Sequence, residues 1–415
     1  MAETLQLSRD TKVYVRDFDT SLTGANNSNT YWEIPVLDGF AFSQGTETTE
    51  ITLTEAADSN NRSRRGRLAF NTALAPVEWS ITTYVRPFKG VGGRTSTTGG
   101  FADNASGFVH AVEEPLWAYM VLGAGETFTA NAAGLTGQRA AGNTWGSTSS
   151  GIFSNTSLME VDFDKSNKTA LRTFELIFAM SSTGNSAAPD TVYRVTDAVV
   201  NAVTIDFDIE GIAQLQWSGF GRTIASSNTM PSVSFTSANT VNEAVNSTNS
   251  FIRNRLTTVR ANTTMAEFGA VGGASKGYNI ILTGGSITVD NGITFLTPEE
   301  LGKVNIPLGH VTGTRSVSGT MTCYLDDDLA ANSSGALFRN MTANTSAARN
   351  TFDLLFSIGG ASSPKVEFVI PKAHLEIPTH SVDDVIGVEV NFNGLPSSIS
   401  NTDEMVVRYY GLTPV

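Results

Sequence analysis

The chain has 415 residues, too many for a single hydrophobic core, and that length sets a prior of about two or three domains. With 27 Lys and Arg against 40 Asp and Glu its net charge is −13, which disfavours a protein that grips nucleic acid, because such affinity comes from cations displacing phosphate counterions. Only 16% of residues are charged and Gly numbers 38, yet 40% are hydrophobic with 23 Phe, a profile that excludes global disorder and suits a β protein rich in turns.

In chain order, Met1–Val13 carries Glu3, Arg9, Asp10 and Lys12 and no apolar run, so no cleaved export signal is expected. Nor does any later stretch reach the roughly 18 apolar residues of a transmembrane helix. Gly90–Gly100 and Gly134–Ser154 are rich in Gly, Ser, Thr, Asn and Ala, the composition of loops with no core to bury. They predict an exposed insertion, about residues 90–154. Inside it, Glu113–Gly123 reads as a helix, with carboxylates and Pro115 at its start and Gly at its end. Thr173–Met180 reads as a strand. In Thr204–Glu210 the apolar Ile205, Phe207 and Ile209 alternate with Asp206, Asp208 and Glu210, and past Gly211 the residues Ala213, Leu215 and Trp217 oppose Gln214, Gln216 and Ser218. These are half-buried antiparallel strands, wet on one face. Ala225–Ser250, poor in charge and rich in Ser, Thr and Asn, is the expected linker. Ser334–Ala343 gives a second, weaker helix, with Leu337, Phe338 and Met341 at helical spacing. Near the end Val388, Val390 and Phe392 oppose Glu389, Asn391 and Asn393.

Self-similarity organises these elements. Thr173–Met180 matches Thr351–Ile358 at a spacing of 178, Arg9, Val15 and Arg16 match Arg253, Val259 and Arg260 at 244, Ile34–Gly39 matches Ile280–Gly285 at 246, and Trp79–Tyr84 matches Gly319–Tyr324 at 240. The order is preserved, and the fall from 240 to 178 places about 62 extra residues in the first copy. The reading is mostly β: two tandem β-sandwich or partial-barrel domains with one helix each, domain one at 1–226, a linker at 227–250 and domain two at 251–415.

Catalytic chemistry finds little support. The single cysteine, Cys323, allows no internal disulfide and no cysteine-based zinc site, and fits folding in a reducing compartment. His374 and His380 flank Pro378 without the i, i+4 spacing of a zincin pair. Asp326–Asp328 lacks the Gly and distal Glu of a calcium loop, so it reads as a turn, and Gly90–Gly93 has no Lys-Ser/Thr after it. The expectation is no enzyme activity, no cofactor and no metal.

Leu5–Val15, Pro76–Phe88, Gln216–Gly221, Ile293–Pro298 and Val304–Gly309 together resemble the tail tube proteins of long, non-contractile-tailed phages, in the subclass with two fused tube domains per chain. The resemblance covers almost the whole length. It implies that each domain gives strands to an inner β-barrel, that three chains close a pseudo-sixfold ring, and that rings stack into a tube in the virion tail, assembled in the bacterial cytoplasm. The partners implied are the chain itself, the tape-measure protein in the lumen, the tail terminator and tail tip proteins, and double-stranded DNA in transit without specific binding, with no membrane. No C-terminal Ig-like module is expected after domain two. The acidic balance fits a conduit, since a negative wall repels passing DNA over roughly 8 Å at physiological ionic strength. The candidate lumen-lining residues are Asp206, Asp208, Glu210 and Glu389, with Glu47, Glu50 and Glu78. Two rival readings are a glycan-binding adhesive β-sandwich with Trp32 or Trp145 as stacking platforms, and an acidic-site depolymerase.

Overall fold

The computed structural model describes residues 11–16, 31–51, 59–60, 68–90, 107–126, 128–132, 142–147, 150–163, 169–180, 191–227, 247–265, 276–297, 306–326, 332–343, 351–381 and 386–413. The first part of the chain contains β1 (Thr11–Arg16), β2 (Tyr31–Ile34), β3 (Ala41–Ile51), β4 (Leu68–Tyr84), β5 (Pro87–Lys89), β6 (Val109–Ala111), helix α1 (Glu114–Val121), β7 (Phe128–Ala132), β8 (Gly142–Ser147), β9 (Ser150–Ser154), β10 (Met159–Asp162), β11 (Phe174–Met180), β12 (Thr191–Phe207), β13 (Gln214–Gly221) and β14 (Thr223–Ser227). The second contains β15 (Thr258–Thr263), β16 (Lys276–Ile280), β17 (Leu282–Asp290), β18 (Thr294–Leu296), β19 (Gly309–Val311), β20 (Ser316–Tyr324), helix α2 (Ser334–Ala343), β21 (Phe352–Ile358), β22 (Lys365–Leu375), β23 (Thr379–Ser381), β24 (Gly387–Gly394) and β25 (Val406–Tyr410).

The fold is mostly β, as expected. Every ladder between these strands is antiparallel, and two long strands divide them into layers. β12 pairs with β11 and β14 through its first part, then passes a register shift between Val200 and Ala202 and pairs with β13 and β17. β22 behaves likewise: Lys365–Val369 pairs with β25, Ala373–Leu375 with β24, and β23 continues along β24. One layer is therefore a continuous sheet ordered β3–β4–β13–β12–β17–β20–β24–β22/β23. The other layer comprises β2–β1–β11–β12–β14 in one part and β16–β15–β21–β22–β25–β10–β9–β8–β7 in the other. The alternating apolar residues of both layers meet in one buried cluster that includes Trp79, Trp217, Phe174, Phe356 and Phe392.

The pairing scheme is the same in the two parts. Val13 stands opposite Ile34 and Phe178, and Val259 opposite Ile280 and Phe356. Gln214–Gly221 opposes Tyr84–Val77, and Gly387–Gly394 opposes Tyr324–Val317. Even the register shift between Phe174 and Leu176 has its match between Phe352 and Leu354. On these ladders Val13, not Val15, holds the place of Val259. The two-residue difference from the sequence alignment keeps the same face, because strand side chains alternate with period two.

Both expected helices are present. Pro115 and Glu114 occupy the first turn of α1, and every residue of the helix is buried. Ser333 caps α2, its Oγ accepting the Ala336 N–H at 3.3 Å. Three other expectations change. The alternation over Thr204–Glu210 ends as a strand at Phe207, because Asp208 Oδ1 accepts the Glu210 N–H at 3.1 Å and Gly211 adopts φ +101°, a turn that leaves Ile209 49% exposed. The Gly134–Ser154 stretch is not loop throughout: β8 and β9 pair across it, and Ile152 and Phe153 are buried. Backbone pairing needs no large side chain, so composition hid these strands. Trp32, a proposed exposed platform, is wholly buried on β2. Most of the expected linker, residues 228–246, like 91–106 and 133–141, lies outside the described residues. Among the described residues no helix is long and apolar enough to cross a membrane.

Candidate functional site

The continuous sheet has one face on the core and one exposed. Along β12 and β13, Val203, Ile205, Leu215 and Trp217 are buried while Asp206, Gln216 and Ser218 are exposed. Across the sheet the exposed face forms rows of short polar side chains. One row runs Thr82, Gln216, Thr204, Thr288, Ser318 and Asn393, with a 2.9 Å hydroxyl contact between Thr204 and Thr288. A second runs Gln214, Asp206, Ser286, Thr320 and Asn391, with Ser286 and Thr320 hydroxyls 3.3 Å apart.

Cationic charge is nearly absent from this sheet. No Lys or Arg occurs in β3, β4, β13, β17, β20, β23 or β24, in Asn201–Phe207 of β12, or in Ala373–Leu375 of β22. Apart from Lys89 on β5 and Lys372, which precedes Ala373 in β22 and whose carbonyl accepts the Leu395 N–H, the strand-borne bases lie in the other layer: Lys12 and Arg16 on β1, Arg194 early in β12, Arg260 on β15, Lys276 on β16, Lys365 on β22 and Arg408 on β25. There they meet acids, as in Arg16–Glu175 at 3.0 Å and Arg408–Glu160 at 2.8 Å. A chain of net −13 has thus kept nearly all its strand-borne cations away from one sheet face, Lys372 excepted.

The seven candidate acids distribute as follows. Asp206, Glu389 and Glu78 are exposed on the sheet face, from β12, β24 and β4. Gln216 Nε2 donates to Asp206 Oδ2 at 3.1 Å, and partial burial, then the charge of Asp208, raises the Asp206 pKa. Asp208 and Glu210 sit in the bend past β12 rather than on the strand. Glu47 and Glu50 stand opposite Ala73 and Ala69 on the distal β3–β4 hairpin, where Gly45 to Glu50 are all exposed. The face is thus sparsely acidic and mainly neutral. Sequence reasoning missed Asp290, whose Oδ1 accepts the Gly292 N–H at 2.6 Å at the end of β17. The Ser286–Thr288–Asp290 alternation carried that signal.

Three strand spacings separate Asp206 from Glu389, about 14 Å, wider than the roughly 5–9.5 Å of glycosidase carboxyl pairs. Among the described residues no group of three His, Cys, Asp or Glu could hold a metal. Cys323 is buried, which pushes its thiol up to about 11.

A family model described as phage tail tube protein matches residues 45–394, from β3 to β24. Tail tube protein pb6 of Escherichia phage T5 is 28% identical to this chain over 403 residues, covering 96% of the chain and 75% of that protein.

Proposed function

The chain belongs to the phage tail tube protein family, and from that premise we propose that it is the major tube subunit of a siphovirus tail, two fused tube domains per chain and three chains per pseudo-hexameric ring. As a tail tube protein it is a structural component of the virion. Domain one occupies residues 1–226, with its insertion, and domain two residues 251–415. The matching ladders of the two parts support the duplication. Each part gives four strand positions to one sheet, so three chains supply about 24, and at roughly 4.8 Å per strand that closes a backbone cylinder about 37 Å across before tilt widens it. A bore of that size admits first the tape-measure protein and later duplex DNA.

The single observation that carries the conduit reading is the near absence of Lys and Arg from the exposed sheet face, with Lys372 alone at its margin among the described strand residues. Phosphates adhere through cations. A wall of Ser, Thr, Asn and Gln with a few carboxylates, Asp206, Glu389 and Glu78 foremost, offers the duplex no such partner, and Asp208, Glu210, Glu47 and Glu50 fringe the two ends of the sheet. Electron microscopy of the purified full chain tests the assembly: rings or tubes with an open centre are expected, and a chain that stays monodisperse and ringless at high concentration would defeat it.

A further inference from the structure

We propose that the open edge of β23 in one copy pairs antiparallel with the open edge of β3 in a second copy, in the register that sets Thr379 opposite Ser43 and Ser381 opposite Ala41. The inference rests on the tube reading and names its seam. Within the chain the two parts already meet through such a ladder: Ala202 faces Asp290, Thr204 faces Thr288 and Asp206 faces Ser286 across β12 and β17.

The remaining edges match this junction residue by residue. Thr204 faces Gln216, which faces Thr82; Thr379 faces Glu389, which faces Thr322. Gln216–Thr82 and Glu389–Thr322 hold the same place in their ladders, so Thr379 stands where Thr204 does. On the other side Thr288 faces Ser318, and Ser43 faces Glu78, the residue at the same place in β4, so Ser43 stands where Thr288 does. Among the described residues β23 pairs only with β24, and β3 only with β4. One copy therefore ends its sheet in the donor half of a junction and begins it with the acceptor half. Two different surfaces meeting in this way make a heterologous contact, which propagates until it closes.

One difference separates the two seams. Pro378 takes the place of Val203, and proline brings no N–H to a ladder, which is tolerated on an edge strand and limits indiscriminate pairing there. The seam between copies is the one that must remain open until assembly.

Cysteine cross-linking of the full chain tests the register, with buried Cys323 as the only native thiol. Directly opposed positions in an antiparallel ladder bring Cβ atoms close enough for a disulfide. Tubes of the Ser43→Cys/Thr379→Cys variant, oxidised with copper phenanthroline, are expected to run as covalent dimers and trimers on a non-reducing gel, with that ladder lost in either single variant. Ala41→Cys/Ser381→Cys reports the same register should the first pair disturb assembly. Normal tubes without cross-links from both pairs would overturn the proposal, as would dimers from a single-cysteine variant, or preferential cross-linking of Ser43→Cys with Ser381→Cys. A wild-type chain that forms no ring at all instead defeats the tube reading itself.

Discussion

At the scale of single residues, the most constrained positions are two glycines that each lie beneath an aromatic ring. Gly219 faces Trp79 across β13 and β4, and Gly319 faces Phe392 across β20 and β24. A Cβ on Gly219 would lie 2.0 Å from the Val199 carbonyl oxygen and 2.4 Å from the Trp79 ring; on Gly319 it would lie 2.2 Å from the Ser286 oxygen and 2.4 Å from the Phe392 ring. Glycine and ring have exchanged strands between the two parts, but the pair survives, because the ring fills the space that glycine leaves. Gly219→Val should therefore cost about 3 kcal/mol or abolish soluble folding, since the clash is with backbone as well as ring. Urea unfolding measures it, and an unchanged midpoint would show that the sheet relaxes around the new methyls. Trp217 was legible as core from alternation, and Trp79 from its place in a repeat-matched strand. Gly219 was not, because a missing side chain carries no signal about what covers it.

Elements are tied together at the junction of α1 with β25. Trp117 Nε1 donates to the Tyr409 hydroxyl at 2.6 Å, Tyr409 donates in turn to the Glu113 carboxylate, and β25 itself pairs with β10 and β22. Glu113 also accepts the Arg86 N–H, at 3.3 Å. Its burial dominates these contacts and pushes its pKa up to about 7. A carboxyl whose pKa is higher folded than unfolded contributes its stability below the unfolded pKa, near 4.5, and loses it as the pH rises through about 7. At neutral pH ionisation of Glu113 thus costs folding on the order of 3 kcal/mol. Glu113→Gln keeps one carbonyl acceptor, exchanges the second oxygen for an NH2 and removes the charge, so it should raise the melting temperature at pH 7.5 relative to wild type and leave it nearly unchanged at pH 4.5. Equal effects at both pH values would place the ionisation elsewhere. The helix and its acidic start were readable from the sequence. Its burial on all sides was not, because β25 is distant in sequence and periodicity reports only local neighbours.

At the scale of the whole molecule, the segregation of charge predicts behaviour in transit. The triple variant Glu78→Lys, Asp206→Lys, Glu389→Lys changes only exposed side chains, so tubes should assemble as before. A cationic bore would bind the passing phosphates, and DNA ejection from assembled phage should slow by roughly an order of magnitude at low salt and recover as salt screens the contacts. Ejection rates equal to wild type at every salt concentration would count against placing these residues in the bore. The sequence by itself determined the strand-rich class, the two helices, the recurrence of matched segments and the alternation that divides each strand into a wet and a dry face, because all of these are written in spacing along the chain. It overextended the acid face past Phe207 and hid β8 and β9, since an Asx turn and glycine-rich pairing leave the period-two pattern either unbroken or absent. Only the tertiary structure decided which strands share a sheet and so revealed that the segments of the one spanning both parts are free of Arg and meet Lys only at its margin, in Lys372. Long-range strand pairing is set by complementarity between segments up to hundreds of residues apart, and the sign of a surface belongs to the strands that form it together rather than to any one of them.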